Sequence, residues 1–248
     1  GGEMAMELGD SNMDASRIGL GCMRMADMSV QKVSKLINIA LDNGVNLFDH
    51  ADIYGAGRSE EVFGKALAEN KGMRERMRIQ TKCGIRDGYY DFSAAHILSS
   101  VDDSLRRLQT EYIDLLLLHR PDALMDVEEV ADTLHQLQRT GKVRRFGVSN
   151  FTSAQIELLQ SVCKVPIQVN QMQFGLMHAG MIQQGLEANM LTEGAASRDM
   201  AVLDYCRLHN ITIQAWSPLQ YGFFEGSFID NEKFPVVNDV LGRIAEER

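Results

Sequence analysis

Proline and cysteine are scarce in this chain, at four residues each, and there is a single tryptophan. Cys22, Cys83, Cys163 and Cys206 stand far apart with no C-x-x-C pair. That argues against a disulfide framework or a zinc site and for a reducing, cytoplasmic compartment. Positive charge is in deficit, with 25 Lys and Arg against 34 Asp and Glu and a formal net charge of −9. A chain this acidic, without a basic stripe, makes a poor nucleic-acid or anionic-membrane binder. Long apolar runs are missing too: the most continuous, Ile113 to Leu118, is interrupted by Asp114 and falls far short of the ~20 residues of a membrane span. The N-terminus has no basic-then-apolar signal pattern. What is present, 45% hydrophobic and 24% charged residues in a chain of 248, suits a single globular domain over residues 1–248 with a sizeable core.

Short apolar β-type runs alternate with amphipathic helical patterns. The strand candidates begin with Ile18–Cys22, Asn46–His50, Arg78–Lys82 and Ile113–His119, and continue with Phe146–Ser149, Ile167–Gln171 and Thr212–Trp216. Between them, Ser29 reads as an N-cap before Val33, Leu36, Ile37, Ala40 and Leu41, with Gly44 as the stop. Ser93 opens a helix carrying Ile97, Val101, Leu105 and Leu108, and another pattern runs from Val127 to Leu137. Thr152 with Gln155 spells a capping box.

Such alternation implies parallel strands joined by helical crossovers. An open dinucleotide fold should place G-x-G-x-x-G after its first strand, but Met23-Arg-Met-Ala-Asp27 follows instead. Polar residues sit at the C-terminal ends of many strands: Asp49, Lys82, His119, Ser149, Asn150, Gln171 and Ser217. That is how a (β/α)8 barrel assembles a site on one rim, and the barrel is the expected α/β fold. Seven βα units are readable. Asn238–Arg248 reads as the seventh helix, so the eighth unit is expected to be missing and the domain C-terminally incomplete.

Asp49-His-Ala-Asp-Ile-Tyr54-Gly puts a carboxylate and a phenol at the end of strand two, while Lys82 and His119 end strands three and four. An ammonium beside a phenol favours the phenolate and is expected to lower its pKa; an Asp can hold that ammonium charged, and a His can donate to a substrate oxygen. Singly, each has a bland role as turn, packing residue, solvated charge or structural histidine. Four at successive strand ends fit one task, protonating a carbonyl oxygen as another group delivers hydride.

The order Asp49, Tyr54, Lys82, His119 resembles the catalytic tetrad of the aldo-keto reductases. The surrounding text does so too: Asp49-His-Ala-x-x-Tyr54-Gly; Ser59-Glu-Glu-x-x-Gly64-x-x-Leu67; Ser104-Leu-Arg-Arg-Leu108 through Tyr112-Ile-Asp114 to His119-x-Pro121; and Gly141-Lys-Val-Arg to Gly147-Val-Ser149-Asn150-Phe151. The likeness runs from about Ile18 to Leu219. His50-Ala and His119-Arg-Pro are most similar to bacterial oxidoreductases of the YdhF type. The resemblance implies a (β/α)8 barrel binding NADP(H), with a small carbonyl compound as substrate. It assigns Tyr54 as general acid, Lys82 and Asp49 as the groups that tune it, and His119 as the group that orients the substrate. It assigns the nicotinamide carboxamide to Ser149, Asn150 and Gln171, ring stacking to Trp216, the pyrophosphate to Ser217 and Leu219, and the nicotinamide ribose to Cys22 and Met23. Amides and hydroxyls suit a neutral carboxamide, and a flat indole suits a flat ring.

Outside that resemblance, Ser149 and Asn150 could cap the helix that follows, Trp216 could be core, and Cys22 a small buried apolar residue. Many relatives carry Thr where His50 stands, so an imidazole is expected near the pocket mouth. Met172 to Ser197 reads as a long Met-rich segment bearing on ligand choice or packing on outer helices. The adenosine 2′-phosphate loop of the family would lie beyond Arg248, so preference for NADP rests on the resemblance. The rival reading is a non-catalytic nucleotide-binding partner module, similar to the β subunits of potassium channels.

Overall fold

The computed structural model describes residues 5–7, 14–16, 18–86, 89–119, 121–173, 193–216 and 222–225. Seven strands run parallel: β1 (Ile18–Gly21), β2 (Leu47–Asp49), β3 (Arg78–Cys83), β4 (Ile113–His119), β5 (Val143–Ser149), β6 (Ile167–Gln173) and β7 (Thr212–Trp216). Among the described residues six α-helices lie between them: α1 (Val30–Asp42), α2 (Arg58–Glu69), α3 (Ala94–Leu108), α4 (Val127–Arg139), α5 (Ser153–Gln160) and α6 (Glu193–Leu208). This is the expected α/β barrel, matching seven readable parallel strands.

The eighth position is not a parallel strand. A short strand, β8 (Gly222–Glu225), pairs antiparallel with both β7 and β1 and closes the cylinder in the order β6-β7-β8-β1-β2-β3-β4-β5. Seven parallel strands alone would expose two unpaired edges, and the antiparallel segment covers both. Two small antiparallel pairs stand apart from the barrel, Ala5–Glu7 with Asp14–Ser16 and Ile85–Arg86 with Tyr89–Tyr90. The pattern at Asn238–Arg248 lies outside the described residues.

Alternation along the strands decides what faces inward. In β2, Leu47 and Asp49 point into the barrel while Phe48 turns out toward Phe63 of α2, ring centroids 5.5 Å apart. In β4, Leu116 and Leu118 join the outer core with Phe146, Val148, Ile97 and Leu134. Burial on both faces explains why β4 reads as a nearly unbroken apolar run.

The caps follow the sequence. Ser29 accepts from Lys32 N at 3.2 Å and Ser93 from His96 N at 3.3 Å. Thr152 and Gln155 form the reciprocal capping box. Met172, expected in a loop, is a buried residue of β6, and residues 193–197 begin α6; 174–192 lie outside the described residues.

Gly64 lets α2 lie directly against α3, since a Cβ there would stand 2.0 Å from the Arg107 carbonyl oxygen. The helices would have to separate to admit a methyl group. Gly64→Ala is therefore expected to destabilise by about 3 kcal/mol, read as a lower midpoint in urea with an unchanged slope.

Candidate active site

Three of the four tetrad side chains form one chain of contacts. Asp49 ends β2 and Lys82 lies one residue before the end of β3; both side chains are buried, at 0% and 1% exposure. The Lys82 ammonium donates to Asp49 Oδ1 at 2.6 Å, to the His50 carbonyl at 2.9 Å and to the Tyr54 hydroxyl at 3.3 Å. An ammonium has three donors, and all three are committed, one of them to the phenol. Tyr54 opens a short 3-10 turn (Tyr54–Gly57) that continues directly into α2. Gly55, at φ 57°, allows this turn to press on Ala26, whose Cβ would lie 2.5 Å from a Cβ at that position.

His119 ends β4, in register with Ser149 of β5. Lys82 registers with Leu117, so alternation aims His119 inward two residues further up the same wall. It is half-buried on the rim that carries Tyr54.

The electrostatics correct one expectation. Burial pushes the Tyr54 phenol above its ordinary value; the Lys82 charge pulls it down, but Asp49 offsets that pull and the net direction is up. The phenol therefore holds its proton, with Lys82 placed to stabilise the anion left after proton donation. Burial alone would lower Lys82, yet the charge of Asp49 and the Tyr54 contact outweigh it and hold the ammonium above its ordinary value.

His50 is not at a pocket mouth. Asp49 faces inward, so the next side chain faces outward, where His50 is fully buried edge-on against Phe63 at 4.4 Å. Neither ring nitrogen has a hydrogen-bond partner. Burial, helped by Lys82, lowers its pKa from 6.5 to about 3. A neutral ring in the fold against an ionising ring in the unfolded chain gives stability that is present above pH 6.5 and lost as pH falls toward 3. His50→Leu is expected to leave the pH dependence of turnover unaltered and to remove on the order of 3 kcal/mol of acid-side loss, seen by comparing thermal midpoints at about pH 7 and about pH 4.

Outside the barrel wall, Glu60 of α2 accepts from Thr81 at 2.8 Å, Ser104 at 3.0 Å and Arg107 at 2.7 and 3.0 Å, tying β3 to α2 and α3. The strand that carries Lys82 is thus clamped from behind. Asp52 lies close to this cluster; burial first, and the Glu60 charge second, raise it from 3.8 to about 7.

Of the residues that the resemblance assigns to a nicotinamide cofactor, those described sit at or near the C-terminal ends of β1, β5, β6 and β7. Ser149 is buried and in register with both His119 and Gln171. Asn150, at φ 56°, follows it, donates its side-chain amide to Ser149 at 3.3 Å and its backbone N–H to the Gln171 carbonyl at 2.8 Å. Neither caps the next helix, because Thr152 does. Cys22 is wholly buried and gives its backbone N–H to the Asp49 carbonyl at 2.9 Å, while Met23 beside it is 37% exposed. Trp216 ends β7 in register with Gln173, and its side chain lies outside the described residues, as do Ser217 and Leu219. A carboxamide needs neutral donors and acceptors; the hydroxyl and two amides at 149, 150 and 171 are of that chemistry, and Gln171 reaches Asp49 Oδ2 at 3.2 Å.

Sequence reasoning missed Gln80 and Gln214. Gln80 donates to Asp49 Oδ1 at 2.7 Å and to Gln214 Oε1 at 2.9 Å. The available signal was an amide two residues before Lys82 and another two before Trp216, inward positions where a barrel wall is usually aliphatic.

A barrel whose wall aims a buried Lys–Asp pair at a rim phenol defines the class, and the aldo/keto reductase family model matches residues 17–240. The chain belongs to the aldo/keto reductase family of oxidoreductases. It is 38% identical to the oxidoreductase YdhF of Escherichia coli over 242 residues, covering 94% of this chain and 74% of that protein. It is 37% identical over 230 residues to a 6-dehydroglucose reductase of Agrobacterium fabrum, covering 87% and 72%. Among solved structures, the glycerol dehydrogenase of Gluconobacter oxydans superposes with a TM-score of 0.68 at 29% identity over 86% of this chain, which spans 63% of that one. Among the described residues no helix is long and apolar enough to cross a membrane, and no cluster of His, Cys, Asp and Glu could hold a metal ion.

Proposed function

We propose that the protein reduces an aldehyde or ketone to an alcohol with NADP(H), Tyr54 acting as general acid. The observation that carries this reading is the buried Lys82 ammonium, fixed by Asp49 at 2.6 Å and directed at the Tyr54 hydroxyl at 3.3 Å. When bound, the dinucleotide supplies a hydride from nicotinamide C4 to the carbonyl carbon. Ser149, Asn150 and Gln171 would hold its carboxamide, Trp216 its ring, Cys22 and Met23 its ribose, and Ser217 and Leu219 its pyrophosphate. His119 donates to the substrate oxygen and orients it. Tyr54 gives its proton to that oxygen as negative charge builds there, and Lys82 stabilises the phenolate that remains. Solvent returns the proton once the alcohol leaves.

The substrate class is a small carbonyl compound. Relatives named for 6-dehydroglucose and versiconal hemiacetal acetate suit oxygen-rich substrates, and the acidic chain suits uncharged ones. Steady-state loss of NADPH absorbance with a panel of aldehydes, ketones and sugar-derived carbonyls, repeated with NADH, tests the proposal. Oxidation with at least one carbonyl and faster turnover with NADPH is the expected outcome. A folded protein that binds nucleotide yet oxidises neither cofactor with any carbonyl would overturn it in favour of a sensing module.

A further inference from the structure

Inside the barrel, three glutamines and Asp49 form a closed circuit. Asp49 and Gln80 are cross-strand neighbours on β2 and β3, and Gln171 and Gln214 are cross-strand neighbours on β6 and β7. In the strand order, β2 stands opposite β6 and β3 opposite β7, so the two pairs meet across the lumen. All four side chains are buried, Gln80, Asp49 and Gln214 at 0% exposure and Gln171 at 4%.

The bonds between them leave little choice of arrangement. A carboxylate only accepts, so the amide nitrogens of Gln80 and Gln171 must face Asp49. Gln80 Nε2 donates to Asp49 Oδ1 at 2.7 Å, and Gln171 Nε2 donates to Asp49 Oδ2 at 3.2 Å. The second hydrogen of each nitrogen goes to Gln214 Oε1, at 2.9 Å from Gln80 and 3.1 Å from Gln171. Gln214 Nε2 returns a bond to Gln80 Oε1 at 2.8 Å. With both of its hydrogens committed, Gln171 can offer a ligand only its carbonyl oxygen.

We propose that Gln80 and Gln214 are positioning residues, an amide pair that locks Asp49 and Gln171 into one unit and so couples recognition of the cofactor carboxamide to the Lys82–Tyr54 acid. This rests on the function proposed above. The Gln171 carbonyl would accept from the carboxamide N–H, and Gln214, with Asp49, holds the aim of that carbonyl by taking one hydrogen each of the Gln171 amide. Without Gln214, Gln171 keeps only its 3.2 Å bond to Asp49, and its amide can tilt about that bond so that the carbonyl loses a fixed aim at the ligand. Through Gln80 the same pair holds the Asp49 oxygen that anchors Lys82.

The test compares binding of NADPH with binding of its 3-acetylpyridine analogue, which has no carboxamide N–H. The parent protein should bind NADPH more tightly by about tenfold, the loss expected when a buried acceptor is left unpaired. Gln214→Leu should bring the two affinities to within about twofold and lower kcat by about tenfold, a combined change that simple loss of stability would not produce. Gln214→Glu, assayed at about pH 6, should restore both, because a carboxyl held beside Asp49 stays protonated and its C=O and O–H replace the amide groups. If Gln214→Leu does not fold, the Gln80→Leu/Gln214→Leu variant, which removes both members of the pair, carries the same readouts. Unchanged discrimination and kcat in the leucine variant, or equal losses in the leucine and glutamate variants, would overturn the inference. A parent protein that neither binds NADPH nor reduces carbonyls would instead overturn the functional reading on which it rests.

Discussion

Tyr54→Phe is expected to lower kcat by about 10²- to 10⁴-fold, the range assigned to a positioned general acid, with the Kd for NADPH changed by less than about twofold. The substitution keeps the ring and removes only the hydroxyl that Lys82 reaches at 3.3 Å. Lys82 retains Asp49 and the His50 carbonyl, so its charge stays satisfied and the fold should hold. The residues proposed to hold the carboxamide are on other strands and lose nothing. In the parent enzyme, kcat/KM should show no basic fall below the ordinary phenol value of 10.0, because burial raises Tyr54 and an acid works until pH passes its pKa. Stopped-flow and pH-profile measurements check both statements. Parent-like turnover in the phenylalanine variant would remove Tyr54 from the mechanism.

Much of the fold was legible because its signals are local. Thr152 and Gln155 bond each other across one helical turn, and β4 announces burial on both faces through its own apolar run. The Asp49–Lys82–Tyr54 cluster was legible because barrel topology brings strand ends together whatever lies between them. Four things were not. Whether His50 faces the lumen or the helices depends on where β2 places its inward residue, and a one-residue change reverses the answer. The direction of the Tyr54 shift depends on burial, which opposes the Lys82 effect and is invisible in a string of letters. Gln80 and Gln214 are 134 residues apart and gain meaning only when β3 and β7 stand opposite each other. The antiparallel β8, Gly222-Phe-Phe-Glu225, is four residues long and too short to show a period.

Lys82→Met tests the other half of the acid. Asp49 would then lie at 0% exposure with its charge supported only by neutral amides from Gln80 and Gln171. Removing one partner of a buried ion pair costs about 3–5 kcal/mol, since the stranded charge cannot reach water. Turnover should fall by about 10²-fold or more as well, because Tyr54 loses the cation that stabilises its phenolate. One variant therefore carries two losses with different causes. Asp49→Asn/Lys82→Met separates them: with no charge left to strand, part of the stability should return, the rest being withheld because an asparagine there has one acceptor where Gln80 and Gln171 both donate, while turnover stays as low as in the single variant. Chemical denaturation measures the first and initial rates the second. Recovery of turnover in the double variant would mean that Lys82 serves only to neutralise Asp49. A single variant as stable as the parent would mean that Asp49 is not the buried charge its contacts describe.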